Sequence, residues 1–193
     1  MATDYTNEVQ KLYVAYFGRP ADPTGLNFWI NQLQTNPNFY QTVSATFSTS
    51  NEFQTMYAGL DNRALVTEIY DNMFARAPDA EGLNFWVNAL NNGTISFDNV
   101  VSFIAEGAQN NDAIIVNGKV SVATEFTKRI DTDAERAAYD GPAANQIAID
   151  YISGVKDLMS GAQHMDPGQI DATIARIVGT PSGMTIDDMA MAF

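Results

Sequence analysis

Carboxylates are the side chains of this chain whose spacing comes nearest to a known chemistry. Asp131, Asp133 and Glu135 alternate along the sequence as the first ligands of a calcium loop do, and calcium prefers carboxylate and carbonyl oxygens. An EF-hand is excluded, because Arg136 stands where that loop needs glycine and Pro142 stands where it needs a bidentate glutamate. Calcium in some other geometry stays open.

The candidate ligands for such a calcium ion are Asp131, Asp133 and Asp140. The alternative is a solvated loop that caps the helix after it, since aspartate accepts backbone N–H bonds at helix starts. Calcium is the one candidate cofactor that the sequence offers.

Enzymatic motifs are missing from the sequence. The one histidine, His164, lies in a segment expected to be a polar loop, and neither G-x-S-x-G nor H-E-x-x-H occurs. A Rossmann fingerprint and a Walker A loop are also absent. A glycosidase needs only two carboxylates, and the chain has 23 acidic residues, so a carboxylate-dependent glycosidase remains an alternative.

The acids that the pattern places best all have helix-capping explanations: Asp22, Asp61, Asp79 and Asp166. The expectation is a protein that is not an enzyme.

Charge and composition exclude several kinds of partner. Ten Lys and Arg against 23 Asp and Glu give a formal net charge of −13, which repels phosphate backbones, so nucleic acid is not expected as a partner. The chain has no cysteine, which excludes disulfides and thiolate zinc sites. No apolar run is long enough to span a bilayer, and the first residues lack the apolar core of a secretory signal. Neither a transmembrane segment nor a cleaved N-terminal signal is therefore expected.

The pentapeptide GLNFW occurs twice, at Gly25–Trp29 and Gly82–Trp86, and marks an internal duplication. At an offset of 57 residues, 11 of the 22 positions from 12 to 33 are identical to those from 69 to 90. A period of this length is typical of repeat architectures. We expect an all-α fold in which two tandem helical repeats, 1–60 and 61–116, pack with a further helical segment, 117–179. A tail, 180–193, follows.

Each repeat is predicted to be a helix, a tight turn and a second helix. The turns carry Arg19 and Arg76, and the next acids, Asp22 and Asp79, are placed to cap the second helix. Gly25 and Gly82 then fall near the third position of that helix, where glycine costs about 1 kcal/mol against alanine. We expect the backbone of a neighbouring segment to come close there; a phosphate cradle is the alternative.

Aromatic residues follow two patterns in the second helices. Trp29 and Trp86 belong to an apolar stripe at helical spacing, which predicts that they face the core. Phe28 and Phe85 lie off that stripe, so they either pack between the repeats or form an exposed aromatic surface. The candidate ligand or interface residues are Phe28, Phe85, Tyr40 and Tyr57.

The last third departs from the repeat. Asn117-Gly118 is a turn signal, after which a helix is predicted to Ile130, followed by a polar loop up to Gly141. A longer amphipathic helix is expected from Ile147 to Met159, and a last helix is expected to open at Asp166-Pro167. The tail is expected to be loosely attached or ordered by a partner.

The two repeats resemble a bacterial family known as domain of unknown function 4214. The segments that carry the resemblance are YVAYFGRPADPTGLNFWINQL and IYDNMFARAPDAEGLNFWVNAL, which are similar to the family pattern G-R-x-P-D-x-x-G-L-x-x-W. The first copy, with Pro20-Ala21-Asp22, lacks the proline directly before aspartate that the second copy has in Pro78-Asp79. Its structural positions here are Arg19, Asp22, Gly25, Trp29, Arg76, Asp79, Gly82 and Trp86. Ala75 replaces the usual glycine before Arg76, a change expected to be harmless because alanine is the better helix former.

The resemblance implies a non-catalytic module of an extracellular or cell-surface protein. Family members occur in surface-layer proteins, adhesins and type I secreted proteins of Gram-negative bacteria, where the module would serve self-assembly, anchoring, or contact with surface polysaccharide or lipopolysaccharide. Type I substrates carry an uncleaved C-terminal signal, and the acidic and then apolar stretch Ile186–Phe193 is compatible with one. A homo-oligomer or lattice is therefore the expected assembly, and a glycan-binding module without self-assembly is the alternative.

Overall fold

The fold is described from a computed structural model, which covers residues 4–36 and 40–180, apart from the side chains of Tyr40, Gln41, Phe97 and Asp98. These residues form twelve α-helices and no strand, which confirms the all-α class and agrees with tandem helical repeats. The helices are α1 Thr6–Phe17, α2 Pro23–Thr35, α3 Tyr40–Ser48, α4 Asn51–Met56, α5 Asn62–Phe74, α6 Ala80–Asn91, α7 Phe97–Glu106, α8 Asn110–Arg129, α9 Asp133–Ala138, α10 Pro142–Ser153, α11 Leu158–His164 and α12 Pro167–Val178.

Helix capping by aspartate is confirmed at all four predicted positions. The side chains of Asp22 and Asp79 accept the backbone N–H of Gly25 and Gly82 at 2.7 and 2.8 Å. Asp61 and Asp166 cap α5 and α12 in the same way. Each cap satisfies a donor that the first turn of a helix leaves without an intrahelical partner. The two repeats therefore start their second helices by the same local interaction.

One apolar core joins both repeats to the first half of α8. Helix α1 lies at its centre and packs against α8, α5 and α2, with Leu12 and Tyr16 almost fully buried. A second core around Phe126 holds α8, α9, α10 and α12 together. Because α8 contributes to both cores and runs through residue 116, it connects the repeats to the last third of the chain.

The first helix of each repeat ends in a residue with left-handed backbone. Gly18 ends α1 at φ 64°, and Ala75 ends α5 at φ 52°. Only glycine adopts this region without a steric cost from Cβ, which is about 1–2 kcal/mol for other residues. The fold accommodates Ala75, as expected, but helix propensity is not the reason, because residue 75 terminates the helix.

Replacing Ala75 with glycine is expected to stabilise the fold by about 0.5–1 kcal/mol, since relief of the left-handed strain exceeds the added freedom of the unfolded chain. The matched change Gly18→Ala is expected to destabilise it, because Cβ would be strained there and would lie 2.8 Å from the Asn72 carboxamide oxygen. Urea unfolding of both variants measures whether the free energy of unfolding rises for Ala75→Gly and falls for Gly18→Ala. A loss of stability in Ala75→Gly would contradict this account.

Helix α8 is longer than predicted, because Asn117-Gly118 does not form a turn. It runs without a break from Asn110 to Arg129. A Cβ at residue 118 would lie 3.5 Å from the Val155 side chain, which is ordinary contact, so space alone does not require glycine. Helix α11 packs on α8, with the Gly161 backbone close to Gly118, and this tertiary contact outweighs the weak helix propensity of glycine.

The predicted long helix from Ile147 to Met159 is interrupted. Helix α10 stops at Ser153, and α11 begins at Leu158 behind a capping box formed by Asp157 and Ser160. The capping box starts a new helix after a turn in the chain. Val155, which lies in this turn between α10 and α11, is fully buried.

Two expected loops are helical. The predicted polar loop before Gly141 contains the short helix α9, which Thr132 and Glu135 start with a capping box. His164 is the last residue of α11 and does not lie in a loop. Within the described part of the chain, no helix is long and apolar enough to cross a membrane. The tail beyond Thr180, with its predicted signal, falls outside the described residues.

Candidate functional site

The first arginine turn is a closed, buried structure. Arg19 donates from Nε and Nη2 to the two carboxylate oxygens of Glu52, both at 2.7 Å, and from Nη1 to the carbonyl of Pro20 at 3.0 Å. Its guanidinium lies 5.3 Å from the ring centre of Tyr13 and 5.5 Å from that of Tyr139, within the range of cation–π contacts. The Arg19 side chain is only 8 % exposed.

Residues from the last third of the chain cover this turn. Tyr139 donates its hydroxyl to the carbonyl of Pro20 at 2.7 Å, and Thr127 donates to the carbonyl of Ala21 at 2.6 Å. Gln10 accepts from the N–H of Ala21 at 3.0 Å and donates to Thr127 at 2.8 Å. The carbonyls of Pro20 and Ala21 therefore accept from residues more than 100 positions away, which joins the first repeat to α8 and the end of α9.

The second arginine turn has the same inner contacts but is open. Arg76 donates to both carboxylate oxygens of Asp112 at 2.8 and 2.6 Å and to the carbonyl of Ala77 at 3.0 Å. Its guanidinium lies 5.4 Å from the ring centre of Tyr70. The Arg76 side chain is 41 % exposed, five times as much as that of Arg19, and Ala77 and Asp79 are exposed as well. Two turns with one motif thus differ in what covers them.

Burial fixes the charge states around the closed turn. It raises the pKa of Tyr139 to about 12, and it raises the pKa of Tyr13 further still, with Asp22 adding to the shift. Burial alone lowers the pKa of Arg19, but Tyr139 and the hydrogen-bonded Glu52 raise it overall. At neutral pH the tyrosines are therefore hydroxyl donors and Arg19 is a cation, which suits a structural joint.

The glycine of the repeat motif has a different neighbour from the one predicted. A Cβ added at Gly25 would overlap the Tyr13 hydroxyl, so a side chain comes close and not a backbone. At Gly82 the corresponding Tyr70 hydroxyl is 3.6 Å away, which is ordinary contact. The tryptophans are half-buried against the core, and Trp86 donates its indole N–H to Tyr70 at 3.0 Å.

The three aspartates proposed as calcium ligands have different surroundings in the structure. Asp133 pairs with Arg136 at 2.8 Å, Asp131 lines a 450 Å³ cavity, and Asp140 lines a different cavity of 380 Å³ beside Arg19. Among residues 4–36 and 40–180, no group of three or more His, Asp or Glu side chains is arranged to hold a metal ion. Calcium binding stays a prediction.

Phe28 and Phe85 are exposed, so the expectation that they pack between the repeats is wrong. Their exposed fractions are 51 % and 59 %, and each ring meets the tryptophan beside it edge to face, at 4.8 and 4.9 Å between ring centres. Tyr57 is not free for a ligand, because its hydroxyl donates to the carbonyl of Tyr16 and accepts from Asn72. The side chain of Tyr40 lies outside the described residues.

Exposed carboxamide side chains lie next to both phenylalanines, whereas the sequence analysis named only aromatic residues as candidates. We define the Phe28 face as the exposed positions of α2, namely Thr24, Asn27, Phe28, Asn31, Gln34 and Thr35, and the Phe85 face as those of α6, namely Ala80, Glu81, Asn84, Phe85, Asn88 and Asn91. Only one of these twelve residues is charged, Glu81, whereas 17 % of the whole chain is charged. The helical spacing of the asparagines around each phenylalanine is the sequence signal that indicates these faces.

A buried lysine is a second feature that sequence reasoning missed. Lys119 in α8 is 1 % exposed, and its Nζ donates to the carbonyls of Asp71 and Asn72 at 3.1 and 2.8 Å. These carbonyls lie in the last turn of α5, where intrahelical donors run out. Burial lowers the pKa of Lys119 to about 8, and a neutral amine still has the two hydrogens that both bonds need.

This lysine predicts a stability that rises with pH. Above pH 8 the folded chain has released a proton that the unfolded chain, with an ordinary lysine pKa near 10.5, still holds. The free energy of unfolding is therefore expected to rise by on the order of 1 kcal/mol between about pH 8 and pH 9.5. Urea unfolding of the wild type and of Lys119→Met measures it, and the rise should be absent in the variant. Above pH 10 the buried tyrosines act in the opposite direction, because burial has raised their pKa.

Two overlapping segments, 2–57 and 44–113, match the family described as Domain of unknown function (DUF4214). Together they cover more than half of the chain, and the chain belongs to this family. Comparison with curated proteins and with solved structures gave no match.

Proposed function

We propose that this chain is a non-catalytic module of a secreted protein that associates with copies of itself or anchors at the cell surface. The observation that carries the proposal is the duplicated pair of exposed, nearly uncharged faces around Phe28 and Phe85. Interface cores are enriched in aromatic residues and depleted of charged ones, and repetition of the same face in one chain is suited to assembly. The resemblance to surface-layer and adhesin families supports an extracellular setting.

Light scattering and cell fractionation test this function together. The purified chain is expected to form assemblies larger than a monomer, and washing of the producing cells is expected to leave part of the protein on their surface. Millimolar calcium is expected to increase assembly by reducing the repulsion of chains with net charge −13. A monomer with and without calcium, combined with no retention on washed cells, would refute the proposal.

A calcium-site variant separates specific binding from general screening. The substitutions Asp131→Asn, Asp133→Asn and Asp140→Asn remove the candidate ligands together. If calcium bridges chains at this site, the triple variant should lose the calcium-dependent gain in assembly. If the gain persists, the cation acts through the overall acidic surface.

A glycan-binding module without self-assembly is the second candidate, and the exposed amides favour it. Asn27 and Asn31 flank Phe28, and carboxamides can donate to and accept from sugar hydroxyls while the ring stacks on a sugar face. A glycan array of neutral and lipopolysaccharide sugars, with Phe28→Asn as the matched control, tests this function. Equal signals for the wild type and the variant would exclude this surface.

A further inference from the structure

The two Phe faces differ from the rest of this acidic surface in charge. The Phe28 face has no ionisable side chain. The Phe85 face has one, Glu81, and the exposed Arg63 next to it donates to Asn84 Oδ1 at 3.0 Å. Two chains of net charge −13 repel each other, and that repulsion is smallest where neither surface carries charge. A second copy of the same chain is therefore the partner whose charge suits these faces best.

The faces are also chemically alike. Asn27, Phe28 and Asn31 of α2 have the same spacing and residue types as Asn84, Phe85 and Asn88 of α6, and both rings meet a tryptophan at the same edge-to-face angle of 78° or 77°. If a Phe face binds another Phe face, it therefore finds two equivalent partners on every other chain. Carboxamides provide both donors and acceptors, so such a face is complementary to itself.

We infer that the Phe28 face and the Phe85 face each bind one such face of a second copy of this chain, so that every chain makes two contacts and assembly continues beyond a dimer. This inference rests on the proposed self-association and adds the residues that carry it. Contacts that do not close into a ring or a symmetric pair produce open filaments or sheets. One helix face per contact is small, so each contact is expected to be weak, and the assembly gains strength from its number of contacts.

The number of contacts per chain can be measured with three variants. Phe28→Asn and Phe85→Asn each remove one aromatic anchor, and the double variant removes both without adding charge. Analytical ultracentrifugation is expected to show open assemblies for the wild type, a species no larger than two chains for either single variant, and a monomer for the double variant. Leu158→Asn is the matched control, since Leu158 is 76 % exposed on α11 but outside both faces, and it should assemble as the wild type does.

The salt response provides an independent readout. Raising sodium chloride from about 20 mM to about 500 mM shortens the range of charge repulsion, so the assembled fraction is expected to rise several-fold. An interface held by ion pairs would weaken under the same change.

The outcomes separate this inference from the function it rests on. If the wild type assembles and the double variant assembles equally, the Phe faces are not the contacts, while self-association stands. If the wild type stops at a dimer, or if single variants form the same large species, the two-contact scheme is wrong. If the wild type is monomeric throughout and a neutral glycan binds in its place, both self-association and this inference fail.

Discussion

Replacing Arg19 with methionine is expected to lower the free energy of unfolding by about 3–5 kcal/mol. The change removes a buried cation and leaves the partly buried Glu52 carboxylate with a hydrogen bond from Asn145 but without its counter-charge, and breaking one side of a buried ion pair has a cost of this size. The carbonyl of Pro20 also loses the Arg19 bond, and the rings of Tyr13 and Tyr139 lose the cation between them. Chemical unfolding followed by circular dichroism measures the effect.

Arg76→Met is the matched control, because it breaks the same set of inner contacts at the open turn. Arg76 is 41 % exposed, so the cation of this pair is already partly hydrated in the folded chain, and exposed ion pairs contribute roughly 0–1 kcal/mol. The two variants should therefore differ by at least about 2 kcal/mol. Equal losses would show that the covering by Tyr139 and Thr127 has no energetic role.

Gly25→Ala and Gly82→Ala are expected to change stability in opposite directions. At Gly25 the new methyl group overlaps the Tyr13 hydroxyl and lies 2.8 Å from Asp22 Oδ2, the carboxylate oxygen that does not cap the helix, so the first turn of α2 must shift, at a cost of about 1–3 kcal/mol. At Gly82 the nearest atoms, Asp79 Oδ1 and Tyr70 Oη, are 3.4 and 3.6 Å away, which leaves room for the methyl group. Alanine in a helix should then stabilise α6 by about 1 kcal/mol.

The variant Tyr13→Phe provides the control for this pair. Without the hydroxyl, the Cβ at residue 25 loses its overlapping neighbour, so Gly25→Ala should destabilise the Tyr13→Phe background less than the wild type. Melting temperatures of the four chains measure this coupling. The same loss in both backgrounds would assign the cost to Asp22, and a gain in Gly25→Ala alone would contradict the packing account.

The arginine pair, Arg19 and Arg76, and the glycine pair, Gly25 and Gly82, show how the two copies of one motif can differ in role. The inner contacts of the arginine turns are the same, because the arginine, the aromatic residue before it and the capping aspartate are repeated in sequence. What differs is the covering segment, which reaches only the first turn. The second turn therefore tolerates changes that the first does not.

Local features of the fold were predictable because they depend on neighbours in sequence. The aspartate caps need only a carboxylate three residues before a free N–H, and the apolar stripes of α2 and α6 need only helical spacing. Two predictions failed for different reasons. Gly118 stays helical because α11, distant in sequence, packs on α8. The helix predicted up to Met159 breaks for a local reason, since the capping box of Asp157 and Ser160 starts a new helix.

The candidate site was predictable only in part. Phe28 and Phe85 were identified by their position off the apolar stripe, but sequence alone did not decide between packing and exposure. Tyr57 has the residue type of a stacking site, yet its hydroxyl is committed to Tyr16 and Asn72. Lys119 left no recognisable signal, because the carbonyls that hold it are more than 40 residues away in sequence.

The all-helical class, the 57-residue duplication and the start of each second helix can be predicted from the amino-acid sequence, because they follow from composition, spacing and capping within a few residues. Tertiary contacts set which arginine is buried, which glycine has no room for a Cβ and which aromatic rings face solvent. Burial depends on the segments that pack on a residue, and these are distant in sequence. The segments that cover the first turn come from α8 and the end of α9, more than 100 residues away, and the second turn has no counterpart of them among the described residues.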